Sequence, residues 1–539
     1  MHPDIKNDGT VFGRAAEIAL AGLLAWLFYT SLHGELPYHD VIKFALQLQT
    51  DRYLWDIGHI LLQPVTLLWH RHFGFGQHAI NSQEQLHALT TAIAVAIFHA
   101  TLLRLRLPMW QRVAGTVLLA TSCGIIILAP SGHVKMLAFP FVNAGLYFAV
   151  DWEQRARANP PGVGVDRALI LSAFMLGMAA AFLVSALASA PFAAFAILAV
   201  LRRSGATWIR AFWVAGVFSA VCGAVFLFWV CFGLVWFAGL PISIDSFIGS
   251  IVHKADHQRE VFFLTVRAAR LVFGTANNLI AAQDFGPVVR AWLSGYEPSL
   301  RAHAWMLVWQ GVPWVAAAAL IGAIYLRTAF ATWRGAACLM PLSWLLGATA
   351  WTIYYNLNDP EHWFQLTVPT ILLFLMLFTP RAKAAILPVW LGLALILNVG
   401  TLAVPQARYP LQRYQAELRA MLRPNDLVIA FADYGGGAHY EFINPHTTPL
   451  IMPDRLFMQN GSAAVVFDVM EREIARILAS GGKVYVFDIL DPDNWHGPWD
   501  QIAGRGLTKK RMFAFFAERY RAEALGNIAE IPAWRLTAK

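Results

Sequence analysis

The first 404 residues are dominated by apolar runs, about eleven of them, each near the ~20 residues a helix needs to cross a hydrocarbon core. They fall at 12–32, 85–104, 110–129, 136–150, 168–185, 187–201, 211–238, 303–326, 335–355, 363–380 and 384–404. The run at 136–150 is short for a span. The stretch 168–201 is too long for one helix, and small residues with a proline at 185–191 mark where it should turn. A chain that is 58% hydrophobic and 14% charged lacks the charge to cover a soluble surface. Its 21 Trp suit a protein with many membrane–water boundaries. The first run is long enough to span and is not followed by a small-residue cleavage site, so it reads as a helix that stays rather than a signal peptide.

Basic residues set the orientation. With Lys6 and Arg14 inside, the inside loops hold Arg104, Arg106 and Arg112, then Arg155, Arg157 and Arg167, then Arg202, Arg203 and Arg210, then Arg327 and Arg334, then Arg381 and Lys383. The short outside loops hold only Lys43, Arg52, Arg71 and Lys135. An odd number of spans places the C-terminus outside, which in a bacterial inner membrane is the periplasm. The net charge of +8 is therefore a topology signal, and no nucleic-acid motif accompanies it. The spans are nearly free of Asp, Glu, Lys and Arg, which argues against an ion-coupled transporter. Cys123, Cys222, Cys231 and Cys338 lie in apolar runs without a CxxC pair and read as small buried hydrophobes.

Three outside segments are large. Residues 33–84 contain two stretches, 41–49 and 54–69, that read as helices lying at the interface. Residues 239–302 are polar and rich in Arg and His. Residues 405–539 change composition sharply: short apolar runs at 427–432 and 483–489 flank a helical pattern at 463–480, which predicts a small periplasmic α/β domain. The Gly435-Gly436-Gly437 run lacks the GxGxxG spacing and reads as a loop. The fold expected is an α-helical polytopic membrane bundle over 1–404, N-terminus in and C-terminus out, with the tail as a second domain.

The chemistry-bearing residues cluster on the outside. Behind the first span come Glu35, His39 and Asp40, then Asp56 and His59. Asp56 and His59, three apart, would share one face of a helix. A carboxylate beside the bilayer is placed to take a proton from an acceptor. Asp40 directly before 41–49 also has the position of a helix N-cap, and both roles are compatible. Asp56 has a simpler reading as the partner of Arg52. A lipid phosphate needs cations at headgroup level. His133 and Lys135 in one tight loop, and His253, Lys254, His257, Arg259, Arg267 and Arg270 in the long loop, form the candidate set. Asp359, Pro360 and Glu361 read as a helix start, with His362 beside them. His with Asp or Glu leaves a divalent metal open, but no spacing defines a site.

An acid shortly after the first span, an interfacial helix, and a His-containing apolar segment resemble the GT-C superfamily of membrane glycosyltransferases, such as protein O-mannosyltransferases and aminoarabinose transferases. The matching positions are Asp40 and the segment Gly58-His59-Ile60-Leu61-Leu62; a later match is Glu361-His362-Trp363 followed by Pro369. The departures are that His39-Asp40 stands where the family has Asp-Glu, and that a proline arrives only at Pro64. The resemblance implies transfer of a sugar from a polyprenyl-phosphate donor to a lipid, glycan or protein acceptor outside the membrane, by one inverting displacement. Asp40 or Asp56 would be the base. His59, Glu361 and His362 would contact substrate, and the loop cations would hold the departing phosphate. Two other classes remain open. A lipid-linked sugar flippase would need a polar central cavity, and an O-antigen ligase or polymerase usually carries paired arginines in its outside loops without a large soluble tail.

Overall fold

The computed structural model describes residues 11–32, 41, 44–45, 48, 58–74, 79–158, 164–246, 276, 279, 311–333, 338–354, 360–403, 411–431, 448–491, 506–528 and 531–539. The chain divides into two compact units: Met1–His33 with Tyr53–Arg408, and Gly34–Arg52 with Tyr409–Lys539.

The first unit is helical: α1 Val11–Ser31, α2 Leu62–Phe73, α3 Ala79–Arg104, α4 Met109–Ala120, α5 Cys123–Leu128, α6 Phe139–Ala158, α7 Arg167–Phe182, α8 Ser189–Arg203, α9 Trp208–Trp236, α10 Val312–Trp333, α11 Leu339–Tyr354, α12 Pro360–Leu377 and α13 Pro380–Leu393. By length and composition, six segments among the described residues can cross a membrane: Phe12–Ser31, Ala79–Arg104, Val184–Arg203, Trp208–Trp236, Val312–Thr332 and Pro380–Gly400. Several of them expose large apolar side chains, such as Trp213, Phe228 and Trp236 on α9, as a lipid-facing surface does.

Where the helices depart from the expected spans, the causes are local. The 110–129 run is two helices, broken at Thr121 and Ser122. Asn398, fully buried, donates to the carbonyl of Thr121 at 2.7 Å, satisfying an oxygen that the break would orphan, and also to that of Leu279 at 2.9 Å. Helix α6 runs well beyond the apolar stretch 136–150 because its charged last turns are paired: Arg155 with Asp151 at 2.8 Å, and Arg157 with Glu153 at 2.8 Å. The 168–201 stretch turns at extended Leu183, continues as a 3-10 helix at Val184–Ala188 and restarts at Ser189, so that Pro191 falls in the first turn of α8 where its missing N–H is harmless. Among the described residues, the expected helix at 54–69 begins at Leu62, after a turn at 58–61. Pro64 accounts for this, because a proline fits the first turn but not the interior. His59 lies in the 58–61 turn, and Asp56, its expected partner on a shared helix face, lies outside the described residues.

In the second unit a five-stranded sheet has the order β2-β1-β3-β5-β4, from β1 Leu427–Ile429, β2 Leu450–Ile451, β3 Val484–Phe487, β4 Tyr520–Ile528 and β5 Ile531–Ala538. Strands β1, β2 and β3 are parallel, and β5 and β4 extend the sheet antiparallel. Every residue of β1 and β3 is buried, the pattern of strands covered on both faces. Among α14 Leu411–Met421, α15 Pro453–Asn460, α16 Ala463–Ala479 and α17 Lys509–Arg519, helix α16 buries Val466, Met470, Ile474 and Ile477 in the sheet's core. Each such side chain contributes about 1.5–3 kcal/mol of burial. Val41, Phe44, Ala45 and Leu48 are helical and buried, and their i, i+3, i+4, i+7 spacing makes one stripe. These are the described residues of the helix expected at 41–49, and protein covers all four.

Candidate functional site

The basic end of the bundle is knitted together by ion pairs. Glu17 of α1 receives both Arg112, at 3.0 and 3.1 Å, and the Nε2 side of His99, at 2.9 Å. Asp151 pairs with Arg104 and Arg155, and Arg155 also reaches Asp166. Those carboxylates are committed to holding helices, which directs attention to the opposite end.

There, His59 sits in the turn that precedes α2. Its Nδ1 donates to the carbonyl of Phe182 at 3.0 Å, Leu61 N–H donates to Ala181 O at 3.1 Å, and Val184 N–H donates to Gly58 O at 3.2 Å. The last carbonyls of α7, orphaned by the extended Leu183, are thus closed by the 58–61 turn. One ring nitrogen of His59 serves this clasp. The same break receives α12: Gln365 donates to Ser185 Oγ at 2.7 Å, and Phe364 packs edge-on to Phe139 at 5.4 Å. The first residue of α12 is Pro360, as the helix-start pattern predicts. Glu361 and His362 lie in its first turn, with side chains outside the described residues.

The 130–135 loop follows α5. Gly132 takes φ +72°, which admits glycine freely, and His133 N–H donates to Leu128 O at 3.1 Å. The His133 ring then caps the 3-10 helix Val134–Leu137, accepting Lys135 N–H at 3.4 Å. His133 is 0% and Lys135 5% exposed. Both are enclosed by protein, because the loop folds onto the first turns of α3. A Cβ at Gly132 would come within 3.2 Å of Glu84 N and 3.4 Å of the Gln83 side chain.

Beneath that loop α3 presents polar residues that the sequence reading passed over. Gln83 and His87 are both fully buried and one turn apart. His87 Nδ1 donates to Gln83 O at 2.6 Å, which fixes the tautomer and leaves Nε2 as an acceptor. Nε2 and both side-chain amide atoms of Gln83 have no hydrogen-bond partner among the described residues. Glu84 is half-buried, hemmed in by protein, and has no charged or hydrogen-bonding neighbour among the described residues. The signal available in the sequence was the polar spacing 83, 84, 87 at the N-terminal end of an otherwise apolar helix.

Asp40, Asp56, His253, Lys254, His257, Arg259, Arg267 and Arg270 lie outside the described residues. Among those described, no three His, Cys, Asp or Glu side chains converge as a metal site would need.

The whole chain superposes on ArnT from Cupriavidus metallidurans. The apo structure gives a TM-score of 0.53 at 10% identity, covering 98% of this chain and 98% of that one. The structure bound to undecaprenyl phosphate gives 0.51 at 10% identity over the same shares. The likeness is one of fold, shared with ArnT. No protein-family model matches the chain, and no curated protein does. The likeness to ArnT thus stands on backbone correspondence alone, over nearly the full length of both chains.

Proposed function

We propose that this protein is a membrane glycosyltransferase that moves a sugar from a polyprenyl-phosphate donor to an acceptor on the periplasmic side of a bacterial inner membrane. The observation that carries the reading is the end-to-end correspondence with ArnT, a fold whose solved form holds undecaprenyl phosphate. Two features agree with it: the first outside loop holds Asp40 and Asp56, and the ion-paired basic end leaves the opposite end for chemistry.

In the proposed step the acceptor oxygen or nitrogen attacks the anomeric carbon, the bond from that carbon to the phosphate oxygen breaks, and the lipid phosphate leaves with the electron pair. Asp40 takes the acceptor proton, with Asp56 as the alternative base. Configuration at the anomeric carbon inverts. Charge grows on the departing phosphate, and cations from Lys135 and the loop residues Lys254, His257, Arg259, Arg267 and Arg270 would stabilise it, with His133 beside them. His59, Glu361 and His362 belong to the same end of the bundle.

The test is turnover by the purified protein with a panel of polyprenyl-phosphate sugars and acceptors, with and without divalent metal. Asp40→Asn should abolish release of polyprenyl phosphate while the protein remains folded. Loss in Asp56→Asn alone keeps the class and moves the base. No release from any donor under any of these conditions refutes the transferase reading in favour of a flippase.

A further inference from the structure

Resting on that transferase reading, we infer that Gln83, Glu84 and His87, at the outside end of α3, form the subsite that binds the ring hydroxyls of the donor sugar.

The argument begins with what these atoms lack. An amide or imidazole fully enclosed by protein without a hydrogen-bond partner costs about 1–3 kcal/mol per group, and folded proteins seldom leave one so. Here one helix face leaves three such atoms together: Gln83 Oε1, Gln83 Nε2 and His87 Nε2. Residues 83, 84 and 87 are one, three and four apart, so they lie on one side of α3.

The chemistry of the set then selects the ligand. His87 Nε2 is an acceptor, because its other nitrogen donates to Gln83 O. Gln83 offers one acceptor and one donor group, and Glu84 offers acceptor oxygens with no cation against them among the described residues. A set rich in acceptors and poor in positive charge does not suit a phosphate. It suits O–H groups, each of which donates once and accepts as well. Position selects the source of those hydroxyls. The 130–135 loop lies directly over Gln83 and Glu84, and that loop brings Lys135, a proposed phosphate ligand. The group joined to the donor phosphate is the donor sugar. Lys135 would hold the phosphate from the loop while the α3 face reads the sugar.

The test compares binding of two lipids to the detergent-purified full chain: undecaprenyl phosphate, and undecaprenyl phosphate carrying whichever sugar supports turnover. Glu84→Gln and Gln83→Leu should each weaken the sugar-bearing lipid about tenfold and leave undecaprenyl phosphate within twofold. A second readout separates binding from scaffolding. Because Gln83 is unsatisfied in the free protein, Gln83→Leu should raise the thermal midpoint of the ligand-free protein as it lowers affinity. If Gln83→Leu lowers the midpoint, the amide is structural and the inference fails. Equal weakening of both lipids would make the face part of the phosphate site, and unchanged affinity for both would assign it to the acceptor or to nothing; each overturns the proposal. Failure of the native protein to bind either lipid would instead refute the transferase reading itself.

Discussion

Glu153 offers the clearest measurement of how this bundle is held. Its side chain is 3% exposed and accepts three hydrogen bonds: Arg157 at 2.8 Å, Leu339 N–H at 3.1 Å and Met340 N–H at 3.0 Å. The last two are first-turn amides of α11, and Leu342 N–H already closes on Cys338 O at 3.0 Å, which makes Cys338 the capping position. A thiol is a poor acceptor, so a carboxylate from α6 takes the role that Ser or Asp fills elsewhere. Glu153→Ala strands two buried N–H groups at about 1–3 kcal/mol each, and the whole loss is roughly 3–5 kcal/mol. Glu153→Gln keeps one acceptor but loses the charge opposite the helix N-terminus, for about 1–2 kcal/mol. Arg157→Leu leaves both amides satisfied and should cost under ~1 kcal/mol. In thermal unfolding of the detergent-purified protein, a cooperative unit of this size moves roughly 1 °C per kcal/mol. The expected order of destabilisation is therefore Glu153→Ala, Glu153→Gln, Arg157→Leu. If Arg157→Leu matches Glu153→Ala, Glu153 acts as a salt-bridge partner and the inter-helix capping argument is wrong.

Three further outcomes follow from other contacts. A Cβ on Gly347 would lie 2.4 Å from Ser189 Cα, so Gly347→Ala must part α11 from α8 and should cost about 1–3 kcal/mol, whereas Gly322→Ala, with nothing within 4 Å, should be neutral or slightly stabilising in the same melt. Gly482→Ala would place Cβ 2.1 Å from Asn425 O, at the turn where Asp426 accepts Lys483 N–H at 2.9 Å; limited proteolysis should show the sheet unit opening first in this variant. Burial, with Asp426 nearby, holds the Tyr485 phenol above its ordinary value, so folding retains the proton that the unfolded chain releases. Stability from this group is complete below the ordinary phenol pKa of about 10 and is lost as pH rises through the raised value, and Tyr485→Phe should flatten that alkaline loss in proteolysis at graded pH.

The parts of this fold legible in sequence are those that one property decides. Apolar length marks most of the helices, and the composition change near 405 coincides with a change to strands. Val41, Phe44, Ala45 and Leu48 are helical where a helix was expected, but apolar periodicity is the same whether lipid or protein covers the stripe, so the sequence alone did not show that these four are buried in protein. The β4–β5 hairpin was missed because β4 is largely exposed and carries no alternation to read. Helix α6 outran its expected end because i, i+4 ion pairs let charged turns continue a helix, a pairing that a hydropathy window scores as termination.

The candidate site shows the same division. A search for chemistry in a membrane chain weighs charge first, and Asp40, Asp56, Lys135 and the long-loop arginines emerge on that criterion. Neutral polar groups carry no such flag: Gln83 and His87 differ little in sequence from the Thr residues that follow them on α3. What distinguishes them is a three-dimensional account of partners. Thr91 of that helix closes its hydroxyl on the carbonyl of His87 at 2.7 Å, while the side-chain amide of Gln83 and the Nε2 of His87 find no partner among the described residues. A hydroxyl that bonds its own helix stabilises structure whatever the substrate. An amide buried without a partner weakens the free protein, and it is retained at that expense where a ligand completes it. Charge would then locate the leaving phosphate, and the unsatisfied neutral face beside it would locate the sugar.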